Sequence, residues 1–476
     1  MQEIPVPVRS IEPFLPVVGE DFYRQAQERA RRLAAHLGGR TIWTVNSTAA
    51  GGGVAEMLHS FLGYAGGLGI VPRWLVVPGA PDFFRVTKRL HNALHGSAGD
   101  GTPLDKKESF IYERVTAENA SRLQGVVAKG DLVILHDPQT AGLIASLKAA
   151  GATVIWRCHI GGDLTQAEVL KGWNFLKKYF PLADAQIFSR RDYVPAFFDP
   201  SRTLIVHPAI DPFSVKNQEM DVNTTRAILV QADLIQGPNG HAAPAYVGAA
   251  GRPLKVRRQA SVHRECGPPA WDVPLVVQVS RWDRLKDPAG VLLGFAHLVE
   301  RGAHGGAHLV LAGPSVEKVA DDPEGRQVLE EVIDRWRNLP PHIRRTIHLA
   351  TIPMDDLEEN AAIINALQRH AAVIVQKSLQ EGFGLTVTEA MWKNCPVVAS
   401  AVGGIRDQID SGIHGLLVEE PEDLQAFAAT LEKVLEDERL RRSLGRHAHR
   451  RVIDRFLSLR SLMQYAEIAL KLLPPH

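Results

Sequence analysis

Two series of short apolar runs, each run followed by a helix-length segment, constrain this chain most. In the first half the runs fall at 41–45, 73–77, 132–135, 154–157, 185–188 and 204–206, with helices expected over 54–68, 82–94 and 140–149 between them. In the second half they fall at 275–279, 309–312, 346–349, 373–376 and 397–399, and a helical tail over 457–473 ends the chain. Strands alternating with helices build parallel sheets covered on both faces. Such sheets bind ligands in loops beyond the carboxyl ends of their strands. The predicted fold class is therefore α/β, with two doubly wound Rossmann-like domains facing across a cleft.

The stretch 207–212, with Pro208 and Pro212, interrupts the alternation and reads as a hinge. The expected domains are 1–212 and 213–456, with the tail 457–476 packing back on the first. Residues 221–271 are rich in Gly, Ala and Pro, carry Lys255, Arg257 and Arg258, and show little periodicity. They are expected to form an irregular or mobile insertion in the second domain.

Composition excludes several functions. The 54 basic and 53 acidic residues leave a net charge of +1, which supports neither a nucleic-acid footprint nor a polybasic membrane patch. Cys158, Cys266 and Cys395 are scattered without metal-ligand spacing and suit a reduced thiol pool. The first twenty residues are broken by prolines and acids and lack a signal peptide's apolar core. No later run is long enough to span a bilayer. Cytoplasmic location is the expectation, and oligomeric state, a homodimer included, is left open.

The segment 373–404 carries the densest chemistry. A strand runs into a loop with Glu381, Gly382, Phe383 and Gly384, and a helix beginning with Leu385 and Thr386 carries Glu389. Glycines let backbone N–H groups approach an anion, and a helix start adds partial positive charge. Two carboxylates bracketing such a cradle are hydroxyl acceptors, so the expected ligand is a sugar joined to a nucleotide. Upstream, Arg281 and Lys286 follow the strand at 275–279. Arg281 can fork onto phosphate oxygens and Lys286 adds a compact charge, stabilising a departing diphosphate.

In the first half, the Asn46–Val54 turn holds Gly51, Gly52 and Gly53. It is neither a dinucleotide fingerprint nor a P-loop, but it suits close approach of an anion or sugar. His136 and Asp137 end one strand, and Arg157, Cys158 and His159 end the next. His159 is assigned to the donor sugar, Asp137 to an acceptor hydroxyl, and His136 beside it. The helix at 82–94 has apolar Phe83, Val86, Leu90 and Leu94 at helical spacing, which leaves Lys88, His91 and Asn92 on other faces, solvated by pattern alone.

With its strand, Glu-Gly-Phe-Gly loop and helix carrying Glu-Ala-Met, the chain resembles the retaining glycosyltransferases of GT-B fold, whose signature is Glu-x7-Glu. More narrowly it is similar to the trehalose glycosyltransferring synthases. The matching pieces are Asn46 to Glu56, Phe83 to Lys88 with His91 to Leu94, and His136 to Gln139. Trp156 to Ile160, Ile210 to Pro212 with Lys216-Asn217, and Glu381 to Trp392 complete the set. The resemblance implies that Glu381 contacts the donor sugar, Glu389 the ribose, and Arg281 and Lys286 the diphosphate. It places Gly52, Gly53 and 382–386 on the donor, and His136, Asp137, Lys88 and Asn92 on the acceptor. The implied reaction is reversible, retaining transfer of glucose from a nucleoside diphosphate to glucose, giving α,α-trehalose. No nucleic acid or membrane takes part, no metal is held by the protein and no cofactor is tightly bound; Mg²⁺ at most stimulates.

Gly161 and Gly162 precede Asp163, where the related sequences continue directly with aspartate, so no acceptor role is given to Asp163. Three rivals stay open from the residues alone. They are a transferase with a sucrose- or glycogen-type acceptor, an epimerase or glycosidase using Glu381 and Glu389 as an acid–base pair, and a nucleotide-sugar-binding regulator without activity. The nucleotide base is unspecified.

Overall fold

The apolar runs become strands because their residues are buried on both faces, as in a parallel sheet covered by helices. The computed structural model describes residues 1–49, 53–238, 242–316 and 323–474. The chain divides into two compact units, Met1–Ile210 with Phe456–His476, and Asp211–Arg455.

In the first unit the strands are β1 (Gln2–Ile4), β2 (Ile42–Asn46), β3 (Arg73–Val76), β4 (Leu132–His136), β5 (Thr153–Arg157), β6 (Ala185–Phe188) and β7 (Thr203–Ile205). They lie in the order β1-β3-β2-β4-β5-β6-β7, parallel except for β1 at the edge. Strand order reverses between β2 and β4, so the crevice beyond their carboxyl ends is the binding position this topology offers. Trp156, Trp173, Phe180, Phe188 and Phe198 pack ring against ring, mostly tilted or edge-on, within the core. The terminal helix Ser458–Leu472 belongs to this unit. It is tied by His36 Nε2 to Leu473 O at 3.0 Å and by Arg29 to Glu467 at 2.8 Å.

The second unit holds β8 (Ala245–Val247), β9 (Pro253–Lys255), β10 (Ser261–His263), β11 (Leu275–Val279), β12 (His308–Pro314), β13 (Ile347–Ile352), β14 (Val373–Gln376), β15 (Val397–Ser400) and β16 (Leu416–Val418). Its main sheet runs β10-β13-β12-β11-β14-β15-β16, and here the order reverses between β11 and β14. The loops carrying Lys286 and Glu381 leave those two strands.

The segment 221–271 corrects the expectation of an irregular insertion. Asp221 caps the helix Val222–Gln231, accepting from the N–H groups of Asn223 at 2.9 Å and Thr224 at 3.0 Å. That helix buries Thr225, Ala227, Ile228 and Leu229. β8 and β9 form a two-stranded antiparallel ribbon, and β10 extends the main sheet antiparallel to β13. Glu359, buried, accepts from the N–H groups of Arg257 at 2.5 Å and Arg258 at 2.7 Å. Order here comes from a carboxylate about a hundred residues away, which leaves no local periodicity to read. Two smaller departures are that 138–143 is a 3-10 turn ahead of the helix Ile144–Ala149, and that β1 and β16 add an edge strand to each sheet. No helix among the described residues is long and apolar enough to cross a membrane.

Candidate active site

In the second unit the two motifs meet. Lys286 Nζ lies 2.5 Å from Glu381 Oε2, and Ser378 Oγ donates to the same oxygen at 3.2 Å. The two loops are fastened beneath this pair. Lys377, fully buried, pairs with Asp287, and Leu379 N donates to Leu285 O at 2.8 Å. Gln278 Nε2 donates to Lys286 O at 3.0 Å. Asp287 adopts a left-handed φ of 47° and caps the next helix through Gly290 N at 2.9 Å.

Gly384, at φ 85°, is the N-cap of the helix Leu385–Trp392. The turn at Gly403-Gly404 closes on it. Gly404 N donates to Gly382 O at 3.1 Å, and a Cβ at Gly404 would lie 2.6 Å from Phe383 Cα. Phe383 is buried, with its carbonyl taken by Gln408, and Thr386 Oγ1 donates to Gln376 Oε1 at 3.1 Å. Glu389 is buried in the same helix, 3.7 Å from Lys216 Nζ. Arg281 stands apart from the Lys286–Glu381 pair; its exposed guanidinium bonds Asp283 at 3.0 Å.

In the first unit, His136 Nδ1 and His159 Nε2 are 2.8 Å apart with rings stacked at an interplanar angle of 14°. Asp137, at φ 62°, accepts from His159 N at 2.8 Å through Oδ1. Tyr112 Oη donates to Pro138 O at 2.5 Å and Trp156 Nε1 to Asp137 O at 3.1 Å, fixing the turn. Beneath them Arg157 is buried and donates to Ser189 Oγ at 3.2 Å. Burial, reinforced by the Arg157 charge, pushes His136 down to about 3 and His159 well below the usual histidine range. Burial pushes Asp137 up to about 7, against the His159 N–H and Arg157. The cluster is thus a set of largely neutral hydrogen-bonding groups. Among the described residues, His136 Nε2 has no partner.

Lys88 is exposed and Asn92 half-buried on the helix Pro81–Leu94, outside this hydrogen-bonded cluster. Gly53 opens the helix Gly53–Gly67, while Gly51 and Gly52 lie outside the described residues. Gly161 is a packing requirement, since a Cβ there would sit 1.9 Å from Tyr193 Cδ2; Asp163, exposed, accepts from Thr165 N at 2.9 Å. Sequence reasoning passed over Arg157, Lys377, Asp287 and Lys393 as functional supports. A lysine closing an apolar strand, as at 373–377, was the available signal for a buried ion pair.

Known proteins match both halves of the chain. The family "Trehalose synthase, N-terminal domain" matches residues 44–195, and "Glycosyl transferases group 1" matches 267–451. The trehalose synthase of Pyrococcus horikoshii is 32% identical over 463 residues, 97% of this chain and 96% of that protein. The trehalose synthase of Rubrobacter xylanophilus is 32% identical over 468 residues, 98% and 97% of the two. The solved structure "Trehalose-6-phosphate from E. coli bound with UDP-2-fluoro glucose" superposes with a TM-score of 0.66 at 14% identity, covering 92% of this chain and all of that one, and speaks for the fold alone. The chain belongs to the trehalose synthase family of group 1 glycosyltransferases and has their GT-B fold.

Proposed function

We propose that this chain is a hexosyltransferase that moves an α-glucosyl group from a nucleoside diphosphate to the anomeric hydroxyl of glucose. The product is α,α-trehalose, formed with retention and reversibly. The observation that carries the reading is the Lys286–Glu381 pair beside the Gly382–Leu385 cradle, in a chain that matches trehalose synthases end to end. A diphosphate and the Glu381 carboxylate compete for the same ammonium. When the donor arrives, Lys286 turns its charge to the phosphates and Glu381 accepts from sugar hydroxyls. Arg281, exposed and paired with Asp283, adds a second cation.

The C1–O bond to phosphate breaks as the acceptor oxygen bonds to C1 on the same face, and the acceptor's proton passes to the departing phosphate oxygen. Fixed cations favour that charge separation. The neutral His159 and His136 suit hydroxyl recognition, since imidazole offers one donor and one acceptor. Lys88, Asn92 and Asp137 complete the acceptor side, and Glu389 takes the ribose. The carboxylates near the phosphate side, Glu381 and Asp283, are each paired with a cation. That set does not fit a tightly held divalent metal, so Mg²⁺ acts at most as a stimulator. These substrates belong to the cytoplasm, where we place the protein.

The test is incubation of the purified protein with glucose and ADP-, UDP- or GDP-glucose in turn, with the products followed by NMR. Trehalose formed with at least one donor, and donor re-formed from trehalose and the nucleoside diphosphate, is the expected result. Another disaccharide, or hydrolysis alone, contradicts it.

A further inference from the structure

Glu389 is buried, and buried charged groups are paired. Two ammonium groups are near it. Lys393, one turn further along, donates from Nζ to Glu389 O at 3.1 Å and to Asn217 Oδ1 at 2.9 Å. Burial pushes that ammonium down to about 7, against the pull of Glu389, and Arg369 and Lys216 push it further. Near neutrality Lys393 is only partly charged. Arg369 has its own counter-ion, Glu219 at 3.0 Å. The charge next to the carboxylate therefore comes from Lys216, whose Nζ is 3.7 Å from Glu389 Oε1. At that distance it supplies charge without a hydrogen bond to that oxygen.

Residue 216 is held there by a strap. Asn217 Nδ2 donates to Asp211 O at 3.0 Å and Ser214 Oγ at 3.2 Å. Asn217 O accepts from Trp392 Nε1 at 3.0 Å and Arg369 Nη2 at 3.1 Å. Asn365, fully buried, donates to Val215 O at 3.0 Å and Gln218 O at 2.9 Å. Two helices, Leu357–His370 and Leu385–Trp392, thus fix the backbone on both sides of Lys216.

We propose that Lys216 is a positioning residue for the donor nucleotide, its strapped ammonium holding the Glu389 side chain in place to accept both hydroxyls of the ribose diol. A carboxylate is acceptor-only and has room for a hydrogen bond from each hydroxyl. This rests on the assignment of Glu389 to the ribose made above.

The experiment titrates ADP, UDP and GDP, each beside its 2′,3′-dideoxy counterpart, into wild type, Lys216→Gln, Lys216→Arg and Glu389→Gln by calorimetry. Hydrogen bonds to a charged group predict that wild type prefers the ribonucleotide by about 10- to 100-fold. Lys216→Gln should reduce that preference to about twofold without changing dideoxy affinity, as Glu389→Gln should, and Lys216→Arg should restore it. If Lys216→Gln weakens both ligands by one factor, or keeps the preference, the proposal is overturned. If wild type shows no preference, the ribose assignment of Glu389 fails instead. If none of the three nucleotides binds, the proposed function fails with it.

Discussion

The two units place their chemistry at the same topological position and handle charge in opposite ways. Beyond β4 and β5, burial and the Arg157 charge hold His136 and His159 neutral, and burial pushes Asp137 up to about 7. Beyond β11 and β14, charge is kept by pairing: Lys286 with Glu381, Lys377 with Asp287, Lys216 with Glu389. Neutral donors and acceptors match the hydroxyls of a sugar, while exchangeable ion pairs match an anion that arrives and leaves. The topology supplies the position; the partners of each side chain decide the chemistry.

That contrast can be broken by substitution. The largest effect is expected from Glu381→Gln, which keeps shape but removes the charge that trades places with the diphosphate. Turnover at saturating donor should fall by about 10²–10³-fold, the usual loss when one preorganised electrostatic partner is removed. Product assays at unchanged melting temperature would check it. Next comes Gly161→Ala, whose Cβ would meet Tyr193 Cδ2 at 1.9 Å. It should cost about 1–3 kcal/mol by overpacking. Gly267→Ala, with nothing within 4 Å of its Cβ, should be nearly silent in the same denaturation series.

A smaller effect concerns Asp137. Its folded-state pKa of about 7 stands above the ordinary 3.8, so its contribution is full below pH 3.8 and is lost as pH rises through 7. Asparagine does not titrate and can still accept from His159 N. Asp137→Asn should therefore gain stability relative to wild type as pH rises from 4 to 8. His136, with its pKa lowered to about 3, acts in the opposite sense, its contribution present above 6.5 and lost as pH falls. Both proteins share that slope, so it cancels in the difference. A stability difference that does not change with pH would show that Asp137 is ionised in the folded protein.

Much of this arrangement was legible beforehand. The strand ends carrying His136, Arg157 and Glu381 follow from apolar runs closed by polar residues, and two sequential parallel strands bring His136 and His159 together. Lys286 and Glu381, 95 positions apart, were put on one donor by the family resemblance, and they meet because both loops leave strands at the point where the sheet order reverses. The supports were not legible. Asn217 meets Lys393, and Glu359 orders Arg257 and Arg258, through contacts more than a hundred residues long that no local spacing encodes. The three-residue strands at 245–247, 253–255 and 261–263 are likewise too short for a period-two pattern to emerge.

The central claim, a charged diphosphate side and a neutral sugar side, is tested most directly by calorimetric titration of the preferred nucleoside diphosphate into three proteins: wild type, Lys286→Ala and His159→Ala. Loss of one charge-assisted contact predicts affinity about tenfold or more weaker in Lys286→Ala, with His159→Ala within about twofold of wild type because a bare nucleotide has no glucose to lose. Equal losses in both variants, or a loss confined to His159→Ala, would contradict it.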